Sequence, residues 1–166
     1  MKKKLLIVIP CIVVVLLVVI AIIVSQFMIY RSWFHYFPWD KSELLQMETS
    51  YDKAQAAIAI NKVHQAFSFN GTAQEAEEKF GRLGLVCSFI TNEFHYDYSV
   101  RQTYKIDVFK SNFQENQGKI WFTYHKKYFN AQNEQVGKTT RNGLHGCVEF
   151  EKINGEWEIV GYHEPA

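Results

Sequence analysis

The sequence predicts an α+β domain carried behind a single membrane-spanning helix. Three observations lead there. Residues Leu5 to Val24 run without one polar side chain. Two stretches of helical periodicity follow, over about 42–67 and 72–84. Alternating apolar and polar residues then dominate to the end, punctuated by turn dipeptides. Helices first and a meander afterwards place helices on one face of an antiparallel sheet.

The apolar run reads LLIVIPCIVVVLLVVIAIIV. At about 1.5 Å per residue it covers roughly 30 Å, the thickness of a bilayer hydrocarbon core. A cleavable signal has a shorter core, about 7–15 residues, and ends at a small-residue site. No A-x-A pattern precedes Ser25-Gln26, so the run is read as an uncleaved anchor. Lys2, Lys3 and Lys4 precede it and only Arg31 follows closely. That bias predicts a cytoplasmic N-terminus and an exterior remainder, in a single-pass protein of the cell membrane. The expected organisation is a basic stub at 1–4, a transmembrane helix at 5–26, an aromatic juxtamembrane linker at 27–41 and an outer domain at 42–166. Within FMIYRSWFHYFPW, Trp33 and Trp39 suit an interfacial belt or a partner-docking patch beside the lipid.

Charge excludes one class of partner. The chain has 18 basic and 17 acidic residues. A balance so near zero removes the electrostatic argument for nucleic acid, because counterion release needs clustered Lys and Arg. Three cysteines are too few for a disulfide-dense scaffold.

In the outer domain, Leu44, Met47, Tyr51, Ala54 and Ile58 recur at 3, 4, 3, 4 and are expected on one buried stripe, which shifts to Ile60, Val63 and Phe67. Asn70-Gly71 should stop this helix. Thr72-Ala73-Gln74-Glu75 is a capping box, opening a second helix with Ala73, Ala76, Phe80 and Leu83 inward and an end near Gly84. Strands are expected at Phe94–Tyr98, around Tyr104–Phe109 and over Ile120–Phe129. A long, bulged strand is expected from Val136 to Lys152, interrupted at Asn142-Gly143. Asn154-Gly155 is the strongest hairpin signal, because both central positions of a type I′ turn need positive φ. Trp157, Ile159 and Gly161 alternate with Glu158, Val160 and Tyr162 in the last strand.

The ending Val148-Glu149-Phe150-Glu151-Lys152-Ile153-Asn154-Gly155-Glu156-Trp157-Glu158-Ile159-Val160-Gly161-Tyr162 resembles the nuclear transport factor 2-like, or cystatin-like, superfamily. The likeness covers about Ser42 to His163. It implies a curved antiparallel sheet wrapped around two or three helices into a cone, whose open end is a pocket or is plugged. A single span before such a domain is also similar in layout to bitopic subunits of secretion and conjugation machines.

Candidate chemistry is sparse. The superfamily's isomerases and dehydratases use Asp, His or Tyr in the cone, which makes Asp97, Tyr98, His125 and Trp157 the pocket candidates; His95 shares the spacing of Asp97. His145, Cys147, Glu149 and Glu151 share one face of a regular strand. Residues two apart on one strand do not make a tetrahedral set alone, so no metal is expected, and no cofactor either. Cys87 and Cys147 fall in stretches read as strands outside the membrane, either disulfide-bonded or as two buried thiols. Trp121 and Phe129 are expected as exposed interface aromatics.

The function these features predict is a non-enzymatic binding or assembly module of a bacterial envelope. Its expected partners are the lipid bilayer, through the N-terminal helix, and a second copy or another envelope protein. The alternatives are a small-molecule or isomerase-like pocket protein, and a small membrane regulator of the immunity type.

Overall fold

The computed structural model describes residues 2–88, 99–139 and 143–165, with side chains from residue 12 onward. The chain divides into two units, Met1–Gln46 and Met47–Ala166.

In the first unit, α1 (Lys2–Tyr36) is one unbroken helix of 35 residues. The segment expected as a linker is therefore helical as far as Tyr36. Within α1, Ile12–Tyr36 is long and apolar enough to cross a membrane. Its large aliphatic side chains from Ile12 to Val24 are 45–61% exposed. Tyr30 and Phe34 sit one turn apart with ring centroids 5.9 Å apart, and Trp33 stacks on Phe37 at 5.7 Å. A 3-10 turn at Pro38–Asp40 leads into α2 (Lys41–Leu45), which ends where Gln46 turns extended.

The second unit holds α3 (Ser50–Ser68), α4 (Ala73–Cys87) and the strands β1 (Arg101–Phe113), β2 (Gln117–Phe129), β3 (Gln135–Lys138), β4 (Leu144–Ile153) and β5 (Glu156–His163). The helix expected from residue 42 is thus two helices. Thr49 starts the second with a capping box: Asp52 N–H donates to Thr49 Oγ1 at 3.1 Å, and Thr49 N–H donates to Asp52 Oδ2 at 2.6 Å. Such reciprocal bonds satisfy donors that the first helical turn leaves orphaned.

Of the stripe expected in the core, Leu44 is buried, but Met47, Tyr51, Ala54 and Ile58 face outward. Met47 is 91% exposed and Ile58 58%. Ala56, Ala59, Val63, Ala66 and Phe67 take the inner face. These alanines carry little side chain, so the helix axis can lie close to the sheet, and Ile58 would not fit there. The shifted set Val63 and Phe67 is buried as expected.

The capping box of α4 forms as expected between Thr72 and Glu75. The helix runs past Gly84 to Cys87, kinked at Gly81 (φ 57°, ψ −145°). Cys87 is accordingly helical, not in a strand. The strand expected at Phe94–Tyr98 lies outside the described residues, as does Asn142. The long strand expected over Val136–Lys152 is two elements, β3 and β4.

The sheet is antiparallel and curved, ordered β1-β2-β4-β5, with β3 alongside the far half of β2. Asn154 (φ 53°) and Gly155 (φ 87°) make the β4–β5 turn, as the dipeptide predicts. Two bulges matter for the interior. One lies between Val108 and Lys110 on β1, opposite Trp121 and Phe122; the other lies at Val160 on β5, opposite Glu149 and Phe150. Each adds one residue, so the alternation of inward and outward side chains changes parity there.

One end of the core is aromatic. Phe113 meets Trp157 edge-on at 5.0 Å and Phe150 at 6.1 Å. Trp157 donates its indole N–H to Gln55 Oε1 at 2.9 Å. Asp52 Oδ1 accepts the backbone N–H of Phe113 at 2.7 Å, and Glu48 Oε1 accepts that of Ser111 at 2.9 Å. Burial alone would raise the Asp52 carboxyl, but the hydrogen bonds from Thr49 and Phe113, with Lys110 nearby, hold it below its ordinary value.

Candidate functional site

The other end of the core is polar. On β2, Ile120, Phe122 and Tyr124 face inward, and the same alternation carries Lys126 inward after them. Lys126 is only 2% exposed. Its Nζ donates to the carbonyl of Cys87 at 2.9 Å and to that of Val86 at 3.1 Å. Those carbonyls are among the last of α4, where backbone acceptors lack helical partners and the helix dipole is negative. The ammonium also lies 5.3 Å from the Phe67 ring centre and 5.6 Å from that of Tyr124, within cation–π range. Lys126 therefore caps α4 from the sheet side. Burial lowers its pKa, opposed by Cys87 and Glu164.

Around this lysine stand two phenols, a thiol and a carboxylate. Tyr124 donates to Glu164 Oε1 at 2.7 Å. Tyr162 is brought inward by the bulge at Val160, in place of Gly161. Gly146 makes room for its ring: a Cβ there would lie 2.9 Å from Tyr162 Cε2 and 3.0 Å from Phe122 Cζ. The Tyr162 hydroxyl is close enough to Cys87 and Tyr124 to feel both electrostatically. Among the described residues it completes no hydrogen bond. Burial pushes the Cys87 thiol up to about 12, and burial likewise raises both phenols. A thiol held protonated is a poor nucleophile. Apart from the Tyr162 hydroxyl, the cluster reads as a polar plug built of paired contacts rather than as a set of activated groups.

Of the predicted pocket residues, His125 and Trp157 are among those described. Asp97, Tyr98 and His95 lie outside the described residues. His125 sits one position off the inward row of β2; a Cβ at Gly143 would lie 2.8 Å from its ring. Trp157 is inward but belongs to the aromatic end. A cleft of about 290 Å³ opens beside the polar end, lined by Phe67, Phe69, Asn70, Arg101, Gln102 and Tyr104 among others.

Cys87 and Cys147 are both buried, and no disulfide joins them. Cys87 packs in the helix-side core, whereas Cys147 projects from the other row of β4, beside Trp121 in register. The β4 row also gives no ligand set. Glu149 instead lies 3.5 Å from both Lys119 Nζ and His163 Nε2. Among the described residues no three His, Cys, Asp or Glu side chains converge.

Of the interface aromatics, Trp121 is buried, Trp33 is buried, and Phe129 is half-buried under the Arg101 guanidinium at 4.0 Å. Trp39 is 64% exposed. Lys126, Tyr162 and Glu164 were missed by sequence reasoning. Continued alternation along β2 would have found Lys126. The β5 bulge hid Tyr162, and Glu164 lies beyond the last strand, where periodicity gives no signal.

No family model matches the sequence, and no curated protein matches it. Solved structures similar to this chain include the following three. A nuclear transport factor 2-like superfamily protein from Salmonella enterica serovar Typhimurium LT2 is 18% identical, with a TM-score of 0.44 over 70% of this chain and 93% of that one. The intermembrane-space region of the chloroplast protein ARC6 is 12% identical, with a TM-score of 0.40 over 73% of this chain and 98% of that one. The association domain of C. elegans CaMKII is 12% identical, with a TM-score of 0.29 over 38% of this chain; the chain spans about half, 48%, of that domain.

Proposed function

We propose that this protein is a single-pass, membrane-anchored binding module of a bacterial envelope. Its globular unit sits outside the cytoplasmic membrane and acts through its surface. The observation that carries this reading is the exposed apolar wall of α1 from Ile12 to Val24. Water does not tolerate so long an apolar cylinder, and a bilayer does. Lys2, Lys3 and Lys4 favour a cytoplasmic N-terminus. The interior supports action from the surface. One end is filled by Phe113, Phe150 and Trp157, and the other by the Lys126 cluster. Tethering concentrates the globular surface near other envelope proteins.

The test uses the full chain with a C-terminal tag. The tag should resist alkaline carbonate extraction from membranes and be digested when protease is added to spheroplasts. A tag released by carbonate, or one protected until the cells are lysed, overturns the reading.

A further inference from the structure

β1 is an edge strand. At its end, Glu48 and Asp52 cap the outer edge by taking the backbone N–H groups of Ser111 and Phe113. Among the described residues, no strand pairs with that edge over Arg101–Val108. A long open edge is a template for another strand unless charge or a bulge blunts it. Here the bulge comes late, after Val108.

The charges on this stretch do not repel a second copy. Lys105 and Asp107 flank Ile106 and neutralise each other, Nζ to carboxylate 2.7 Å. They are also self-complementary. If two β1 strands run antiparallel about Ile106, Lys105 of each faces Asp107 of the other, and Tyr104 faces Val108. Val108 has the inward parity of Tyr104 and Ile106 yet is 45% exposed. The opposite edge lacks this pattern. On β5, Glu156 and Glu158 are both acidic and already ion-paired to Lys62, at 4.0 and 2.8 Å.

We propose that β1 pairs edge to edge with β1 of a second copy, antiparallel about Ile106, joining two sheets into one across a two-fold axis. The interface is isologous, and its backbone pairing gives affinity while the crossed Lys105–Asp107 pairs fix register. It does not depend on the anchoring proposed above.

The experiment is sedimentation equilibrium of the full chain in density-matched detergent, at concentrations up to tens of micromolar. K105D places two acids on each strand, and D107K places two lysines. Each variant alone should dimerise about tenfold more weakly or worse, since attraction is replaced by repulsion at both crossed positions. Mixed together, the two should recover the wild-type dimer, because acids then face lysines only between chains. The ion pair within one strand is lost in both variants and cannot explain that recovery. Far-UV circular dichroism should show both variants folded. K105Q, which removes charge without adding repulsion, gives a milder weakening if K105D does not fold. A wild-type chain that stays monomeric overturns the proposal, as does a dimer indifferent to the single variants or a mixture that recovers nothing.

Discussion

The two ends of the core are stabilised by different physics. At one, Phe113, Phe150 and Trp157 interlock, and the carboxylate of Asp52 pins the adjoining strand to the start of α3. At the other, a buried ammonium closes the last turn of α4 among phenols and a thiol. The aromatic end gains from area removed from water. The polar end gains only if each buried group keeps its partner, since an orphaned one costs its full desolvation. The contrast teaches that one continuous core can carry two failure modes, and substitutions should separate them.

The largest effect belongs to the aromatic end. Trp157→Ala should destabilise the globular unit by about 3–5 kcal/mol, read as a lower denaturation midpoint by circular dichroism. A loss below about 1 kcal/mol would mean that the β5 end contributes little to the core. Next comes the polar end. Lys126→Ala should cost about 2–3 kcal/mol, through lost packing and two carbonyls left bare. Lys126→Met keeps the volume and removes a buried charge, so it should cost clearly less. Equal losses for the two variants would show that the stem, not the ammonium, closes α4.

The two ends should also fail at opposite ends of the pH scale. The folded Asp52 pKa is below the ordinary 3.8, so its contribution is present above that value and lost as pH falls through the lower folded value. The folded Cys87 pKa is about 12 against an ordinary 9.0, so its contribution is present below pH 9 and lost as pH rises toward 12. The raised phenols of Tyr124 and Tyr162 act in the same direction, and the lowered Lys126 opposes them. Asp52→Asn should therefore flatten the acid limb of stability and leave the alkaline limb in place. Cys87→Ser should reduce the alkaline limb alone.

The smallest effects compare two phenols a few ångströms of chemistry apart. Tyr124→Phe removes the bond to Glu164 and should cost about 1–1.5 kcal/mol. Tyr162→Phe removes a buried hydroxyl that completes no hydrogen bond, and should raise stability by up to about 1 kcal/mol. If Tyr162→Phe costs more than Tyr124→Phe, the Tyr162 hydroxyl has a partner that its burial conceals.

The aromatic end was legible in the sequence. Trp157 follows a turn dipeptide and sits in clean alternation, and Asn154-Gly155 left one turn type open to it. Helix α4 was legible from its capping box and its spacing of Ala76, Phe80 and Leu83. Helix α3 was half legible. Thr49–Asp52 is also a cap signature, but the apolar run through Leu44, Met47 and Tyr51 concealed the break before it. That run also put the stripe on the wrong face, because hydrophobicity ranks Ile58 above Ala59 while packing against a sheet prefers the smaller residue. The polar end was hidden for a different reason. A lysine in an inward position contradicts the period that places it there, and only the three-dimensional approach of the α4 carbonyls resolves the contradiction.

On β1 and β5 the ladder holds one residue more than its partner at one place each, Phe109 and Val160. Excising either would leave Ser111 and Phe113, or Tyr162, on the sides they already occupy, with the strand merely shortened. Excision of a single residue anywhere else within these strands would turn every later side chain inside out. Each of these two strands therefore has one spare link, and its tolerance of shortening is confined to that link.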